Sequence, residues 1–356
     1  MRARPDVVGV DAIERWLAPD ASLIDVRSER EFAEDHLPGA RNHPVLHDDE
    51  RERVGTVDRQ QSPFEARRLG APIVVRNIAT MIEQHFATQP RGWSPLVYCW
   101  RGGKRSGTLT WLLREIGFDA RQLTGGYKAF RARVNAELPA FAQRPRYVTL
   151  CGCTGTGKTA LLDALGRVGA QVLDLEGLAN HRGSLLGGRD TPQPSQKRFD
   201  TALWDALRTL DPTRPVFVES ESKKIGLVQM PEAMRVAMSA GECVWLDVPL
   251  AARVAHIAGE YAHFVADPQA MMARLQPLKA LRGARQLQEW QTLADRGDTD
   301  ALFASLMTTH YDPLYTSAIR RHFTGLATAP VVTLADLSPS TLDATARALR
   351  DPFDPG

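Results

Sequence analysis

Cysteine is scarce in this chain: there are four in 356 residues, Cys99, Cys151, Cys153 and Cys243, and none stands in a paired Cys-x2-Cys spacing. So few exclude a secreted disulfide framework, and their spacing excludes a zinc ribbon, so each has to be explained singly. No run approaches the roughly 18 consecutive apolar residues of a membrane span. The opening stretch MRARPDVVGVDAIERW has no apolar signal-peptide core, and a cytoplasmic location is expected. An excess of one charge is lacking too. Lys and Arg total 44 against 42 Asp and Glu, a net charge of +2, so any site for a polyanion must be a local patch. Repeats and low-complexity tracts are missing, and 43% hydrophobic with 24% charged residues is the composition of an ordinary soluble globular chain.

What is present is length and alternation. At about 100 to 200 residues per domain the chain is long enough for two. DVVGV, DAIERWLAP, SLIDVR and SEREFAEDHL alternate strand and helix signals; APIVV reads as a strand, IATMIEQHFATQ as a helix, PLVYC as a buried strand and SGTLTWLLREIG as a helix. This predicts a first α/β domain over 7–137. ELPAFAQRPR, with two prolines and no periodicity, predicts a linker at 138–146. A second α/β domain over 147–356 follows, with strands at YVTLCG, QVLDLE, PVFVES, ECVWLDV and VVTLADL and a helical stretch from about 249 to 322. The polar segment HRGSLLGGRDTPQPSQKRF is too rich in glycine and proline for a plain connector and reads as a functional loop.

Cys99 ends the apolar strand LVYC and is followed by WRGGKRSG. Gly102 and Gly103 permit a tight turn into a helix near Ser106. Loop amides, the positive helix end and the charges of Arg101, Lys104 and Arg105 would stabilise a thiolate, the reactive form of cysteine. A cysteine followed by glycines and three cations is a poor core filler, which favours a nucleophile.

Gly152-Cys153-Thr154-Gly155-Thr156-Gly157-Lys158-Thr159 satisfies G-x4-G-K-[ST] between a strand and a helix. Amides at Gly152, Gly155 and Gly157 can cradle a diphosphate, Lys158 can reach the outer phosphates, and the Thr159 hydroxyl can ligate magnesium. Glu219 and Glu221, at the end of PVFVESES, and Asp174, ending QVLDL, are the acidic candidates for that magnesium. The motif specifies a diphosphate without saying which one, so ATP or GTP competes with other donors.

The first domain resembles the rhodanese domains. Asp25-x-Arg27 at a strand end, the His36-x-Pro38-Gly39-Ala40 turn and the closing LTGGYKAF carry the resemblance, which implies sulfur or selenium carriage on Cys99. Five residues separate Cys99 from Arg105, one more than in common single-domain rhodaneses, a spacing that also resembles dual-specificity phosphatases, although Tyr98 stands where those have histidine.

The whole chain resembles the bacterial tRNA 2-selenouridine synthases, through DDERERVGTVDRQQSPFEARRLG, YCWRGGKRSGTL, GCTGTGKT, DLEGLANHRGSLLG, PQPSQKRFDTAL, VESESKKIG and HYDPLY. The resemblance implies S-geranylation of wobble 2-thiouridine in tRNAs for lysine, glutamate and glutamine from geranyl diphosphate. Displacement by selenium from selenophosphate, through a selanylcysteine at Cys99, follows. Arg101, Gly102, Gly103, Lys104, Arg105 and Ser106 would cradle selenophosphate. His181, Arg182, Ser184, Lys197, Arg198, Lys223 and Lys224 are the candidates for tRNA contact, with Arg320 and Arg321 as further cations and Trp100 and Tyr127 as stacking surfaces. A monomer with no tightly bound cofactor is expected. The competing expectation is a rhodanese-type sulfurtransferase or Cys-x5-Arg phosphatase carrying a nucleotide-binding regulatory domain.

Overall fold

A computed structural model describes residues 7–353. The chain divides into two compact units, one of residues 1–138 with 197–205 and one of 139–196 with 206–356.

In the first unit, β1 (Val7–Val8), β2 (Leu23–Asp25), β3 (Arg41–Asn42), β4 (Leu96–Tyr98) and β5 (Arg121–Leu123) form a sheet of order β1-β5-β4-β2-β3. Every pairing is parallel, so helices have to cover its faces. They are α1 (Glu29–Glu34), α2 (Asp48–Gln60), α3 (Pro63–Met81), α4 (Lys104–Ile116) and α5 (Gly126–Gln143). Ile24, Val26, Val97, Leu109 and Leu113 are buried together between sheet and helices. β4 is the middle strand, and its carboxyl end feeds the Cys99 loop.

Three expectations are corrected here. APIVV is no strand: residues 71–75 lie inside α3, which Ser62 caps by accepting the Glu65 amide at 3.1 Å, with Pro63 at the first helical position. Ala66, Gly70, Ile78 and Met81 are buried at helical spacing, and that face outweighs the strand preference of Ile73, Val74 and Val75. The segment 138–146 is also not an open linker. α5 continues to Gln143 with Pro139 inside it, and the next strand starts at Arg146. DAIERW forms two short 3-10 turns, at 10–12 and 14–16, rather than an α-helix.

In the second unit, β6 (Arg146–Gly152), β7 (Gln171–Leu173), β8 (Pro215–Glu219), β11 (Glu242–Asp247) and β12 (Val331–Thr333) form a parallel sheet of order β12-β11-β6-β8-β7, and β9 (Lys224–Ile225) with β10 (Val228–Gln229) forms a small antiparallel pair. Its helices are α6 (Lys158–Arg167), α7 (Leu175–Ala179), α9 (Glu232–Ala240), α10 (Leu250–Glu260), α11 (Ala262–Ala266), α12 (Pro268–Leu275), α13 (Lys279–Asp295), α14 (Thr299–Leu306), α15 (Asp312–His322) and α16 (Pro339–Phe353), whereas α8 (Gln196–Arg208) gives its residues 197–205 to the first unit. From the central β6 the chain goes first to β7 and β8 on one side and only later to β11 and β12 on the other. The carboxyl end of β6 therefore opens on the crevice where such sheets bind ligands. One core lies under this sheet, around Leu150, Leu161, Phe217 and Leu246. A second lies within the helical segment, around Met271, Trp290, Leu302 and Phe303. Among the described residues no helix is long and apolar enough to cross a membrane.

Candidate active sites

Cys99 follows β4 directly and is buried at the base of its loop. The Gly103 amide points at its sulfur at 3.3 Å and the Ser106 hydroxyl at 3.2 Å. Burial pushes the thiol up. The hydroxyl and amide of Ser106, the Arg105 charge and the Gly103 amide more than offset it and hold Cys99 below an ordinary cysteine. Gln122 on β5, which sequence reasoning missed, donates to the carbonyls of Gly102 and Gly103 at 2.8 and 2.9 Å and to the Ser106 hydroxyl at 2.9 Å. Its signal was its place just before LTGG.

The LTGG turn is the other wall. Tyr127 and Lys128 donate their amides to the carbonyls of Cys99 and Trp100, each at 2.9 Å. Gly126 (φ +57°) has no room for a side chain, since a Cβ would run into the Cys99 carbonyl and the Gly102 amide. Of the cradle cations, Arg101 and Lys104 are exposed, while Arg105 donates to Glu31 at 3.1 Å. Asp25 and Arg27 form a buried pair beneath, Arg27 reaching Asp25 at 2.6 Å and the Asp35 carbonyl at 2.6 Å. Arg27 also lies over the Tyr127 ring, whose hydroxyl donates to Asp35 at 2.8 Å. Tyr127 is thus buried, with Trp100 tilted against it at 5.2 Å.

The phosphate loop leaves β6 at Gly152 and enters α6 at Lys158, with Gly155 (φ +79°) and Gly157 (φ +70°) in the left-handed region that the turn demands. Lys158 Nζ donates to the carbonyls of Gly152 and Cys153 at 3.3 Å. Arg253 on α10, also missed, donates to the Thr154 carbonyl at 3.1 Å and is paired with Asp312 of the HYDPLY segment at 3.0 Å. The four cysteines are free thiols; Cys151 and Cys243 are buried in the sheet.

The acidic candidates are engaged differently from one another. Asp174 caps α7 by accepting the Gly177 amide at 2.7 Å. Glu219 accepts the Glu176 amide at 2.9 Å with one oxygen and leaves the other buried without a partner. Glu221 is buried beside Glu176, and burial first, then the Glu176 charge, pushes its carboxyl up to about 8. Glu176 accepts the Thr159 hydroxyl at 3.4 Å. Among the described residues no group of three or more His, Cys, Asp or Glu side chains is set to hold a metal ion alone. Thr159 with Glu176 suits an ion that arrives with a diphosphate.

A cleft opens on this loop. Lys158, Thr159, Glu176, Arg182, Ser184, Glu221, His256 and Glu260 are among its polar lining, and Leu186, Ile257, Phe303, Leu306 and Met307 with Tyr261, Tyr311 and Tyr315 make its apolar lining. Arg182 lies over the Tyr261 ring, and Ser184 is 3.5 Å from its hydroxyl. Two of the residues read as tRNA contacts therefore line the phosphate-loop cavity. His181 turns inward to accept the Gly183 amide at 3.0 Å. Lys197 pairs with Glu34 at 2.6 Å and Arg198 donates to the His36 carbonyl at 3.2 Å, both within the first unit. Lys223 and Lys224 are exposed, and Arg320 and Arg321 lie together on α15, lining a shallow surface cavity.

A buried, activated thiol at the end of one central strand and a phosphate loop at the end of another define the class: a rhodanese-like domain joined to a P-loop domain. Residues 10–133 match the rhodanese-like domain family, and residues 145–287 match the tRNA 2-selenouridine synthase AAA domain. A protein of Nitrosomonas europaea named tRNA 2-selenouridine synthase is 38% identical over 268 residues, 72% of this chain and 67% of that protein. Those of the same name in Shewanella piezotolerans and Verminephrobacter eiseniae are 31% identical over 87% of this chain and 92% of theirs, and 38% identical over 83% and 88%. The chain belongs to the tRNA 2-selenouridine synthase family.

Proposed function

We propose that this protein is a transferase that converts 2-thiouridine to 2-selenouridine at the wobble position of tRNAs for lysine, glutamate and glutamine, in two steps. In the first, the sulfur is alkylated by geranyl diphosphate; in the second, the geranylthio group is displaced by selenium drawn from selenophosphate. Alkylation turns a poor leaving group into a better one: the Cys99 thiolate takes the phosphoryl group of selenophosphate and frees selenide, selenide adds at C2 of the uridine as geranylthiol leaves, and water then releases phosphate and restores the thiol, so that the exchange is divided into easier displacements.

The observation that carries this reading is the cavity on the phosphate loop. Its Lys158 and Arg182 side suits a diphosphate that is both anchor and leaving group, and its side of leucine, isoleucine, phenylalanine, methionine and tyrosine suits a hydrocarbon chain. Magnesium, held by Thr159 and Glu176, would neutralise charge on the departing diphosphate. At the other site Ser106, Gly103 and Arg105 favour the thiolate of Cys99, and exposed Arg101 and Lys104 are the cations offered to the phosphate of selenophosphate. Lys223 and Lys224 are the exposed cations offered to the tRNA backbone.

The test is mass spectrometry of wobble nucleosides after incubation of the full-length protein with 2-thiouridine tRNA, geranyl diphosphate, selenophosphate and a thiol reductant. The expected product is 2-selenouridine. Cys99→Ala should accumulate the S-geranyl nucleoside, and Lys158→Ala should leave 2-thiouridine. Undiminished geranyl diphosphate binding and geranylation by Lys158→Ala would remove the donor from the phosphate loop.

A further inference from the structure

The apolar side of the cavity has an order along its length. Met307 and Ile257 come first, packed on the phosphate loop itself: a Cβ on Gly155 would lie 2.7 Å from the Met307 methyl and 2.8 Å from Ile257 Cγ1. Leu306 and Met307 lie three and four residues after Phe303, so both neighbour it on one face of α14 and its continuation. All three line the cavity. Phe303 is therefore one helical turn, about 5 to 6 Å, along the axis from Met307. A chain whose diphosphate sits on the loop meets Met307 and Ile257 at its start, and the Phe303 ring lies one helical turn from Met307 on the same wall.

That ring is fixed. Phe303 is 3% exposed and belongs to the core of the helical segment with Leu302, Leu287 and Trp290. Trp290 is itself held by its indole N–H donating to Ser305 at 3.0 Å. Interiors of this kind are close-packed, so the ring cannot swing aside without opening the core behind it.

We propose that Phe303 sets the length of the prenyl chain this protein transfers, a ten-carbon chain ending against its ring and a fifteen-carbon chain being turned away. This rests on the reading that the phosphate loop holds an allylic diphosphate. The transfer itself is the same for either chain. The C1–O bond breaks with its electron pair going to the diphosphate, a sulfur lone pair of 2-thiouridine forms the C1–S bond, and the N3 proton leaves to water. Only the fit of the far end differs, and an apolar pocket discriminates by roughly 10 to 200-fold for a single methylene.

The experiment offers the full-length protein equal geranyl and farnesyl diphosphate with 2-thiouridine tRNA, and measures S-geranyl against S-farnesyl nucleoside by mass spectrometry. The wild type should give almost only the geranyl product. Phe303→Ala should raise the farnesyl-to-geranyl ratio by at least about tenfold, and Phe303→Leu should shift it the same way by less. Thermal unfolding is followed in parallel; if the alanine variant does not fold, the leucine variant decides. An unchanged ratio in a folded variant, with geranylation intact in the wild type, overturns the role of Phe303 and leaves the donor reading standing. Transfer from neither diphosphate by the wild type overturns the donor reading and the role of Phe303 with it.

Discussion

The Ser106 hydroxyl donates to the Cys99 sulfur at 3.2 Å while accepting from Gln122 at 2.9 Å. The nucleophile is thus poised by a hydroxyl whose direction a second strand controls. Because Cys99 is held below an ordinary thiol, it is charged at a lower pH than free cysteine. Alkylation of Cys99 by iodoacetamide, followed by peptide mass spectrometry, should rise with pH along a curve displaced to the acid side of free cysteine. Ser106→Ala should move the curve back and slow alkylation at neutral pH by roughly tenfold, the worth of a hydrogen bond to a charged group. Superimposable curves would show that the hydroxyl does not stabilise the thiolate.

Gly126→Ala tests the LTGG wall without replacing any residue of the loop that carries the thiol. An alanine there meets the Cys99 carbonyl and the Gly102 amide in a left-handed backbone. Stability should fall by more than about 1 kcal/mol, and selenation should fail even though Cys99 is present. Geranylation of 2-thiouridine tRNA by the same variant is the control for the second site and should persist.

Asp25→Ala leaves Arg27 charged, 1% exposed and without its partner. Breaking a buried pair from one side costs about 3 to 5 kcal/mol, so the urea midpoint of the first unit should drop sharply. A midpoint within error of the wild type would mean that Arg27 finds another carboxylate.

Arg253→Met removes the donor to the Thr154 carbonyl and the partner of Asp312. The phosphate loop should lose its shape before it loses its motif. Affinity for geranyl diphosphate, measured by calorimetry, should weaken by about tenfold or more, the worth of a charge-assisted hydrogen bond, while Cys99 alkylation stays as in the wild type.

Both cradles were legible because a backbone that wraps an anion needs glycine at fixed positions, and Gly102, Gly155 and Gly157 announce those turns. The strands and helices around them follow from periodicity. What escaped depends on partners far off in the chain. Arg182 reads as a surface cation until Tyr261, 79 residues later, comes under it, and Arg198 until the His36 carbonyl, 162 residues earlier, accepts its proton. The apolar wall of the phosphate-loop cavity was invisible for the same reason. Leu186, Ile257, Phe303 and Tyr315 come from four separate segments and form no motif. APIVV misled because Ile73, Val74 and Val75 favour strands locally, whereas burial of Ile78 and Met81 is decided by the helix as a whole.

The course of α8 has a consequence for heredity. Residues 197–205 complete the first unit although they are encoded after the phosphate loop. Thr201 donates to wholly buried Asp35 at 3.0 Å, and Trp204, itself fully buried, donates to Glu137 at 2.9 Å and packs on Phe130. A gene cut at codon 138 or 146 would strip those partners away and leave a carboxylate and an aromatic face uncovered. A swap of the first unit for a cousin's has to carry that helix along if Asp35 and Trp204 are to keep their partners.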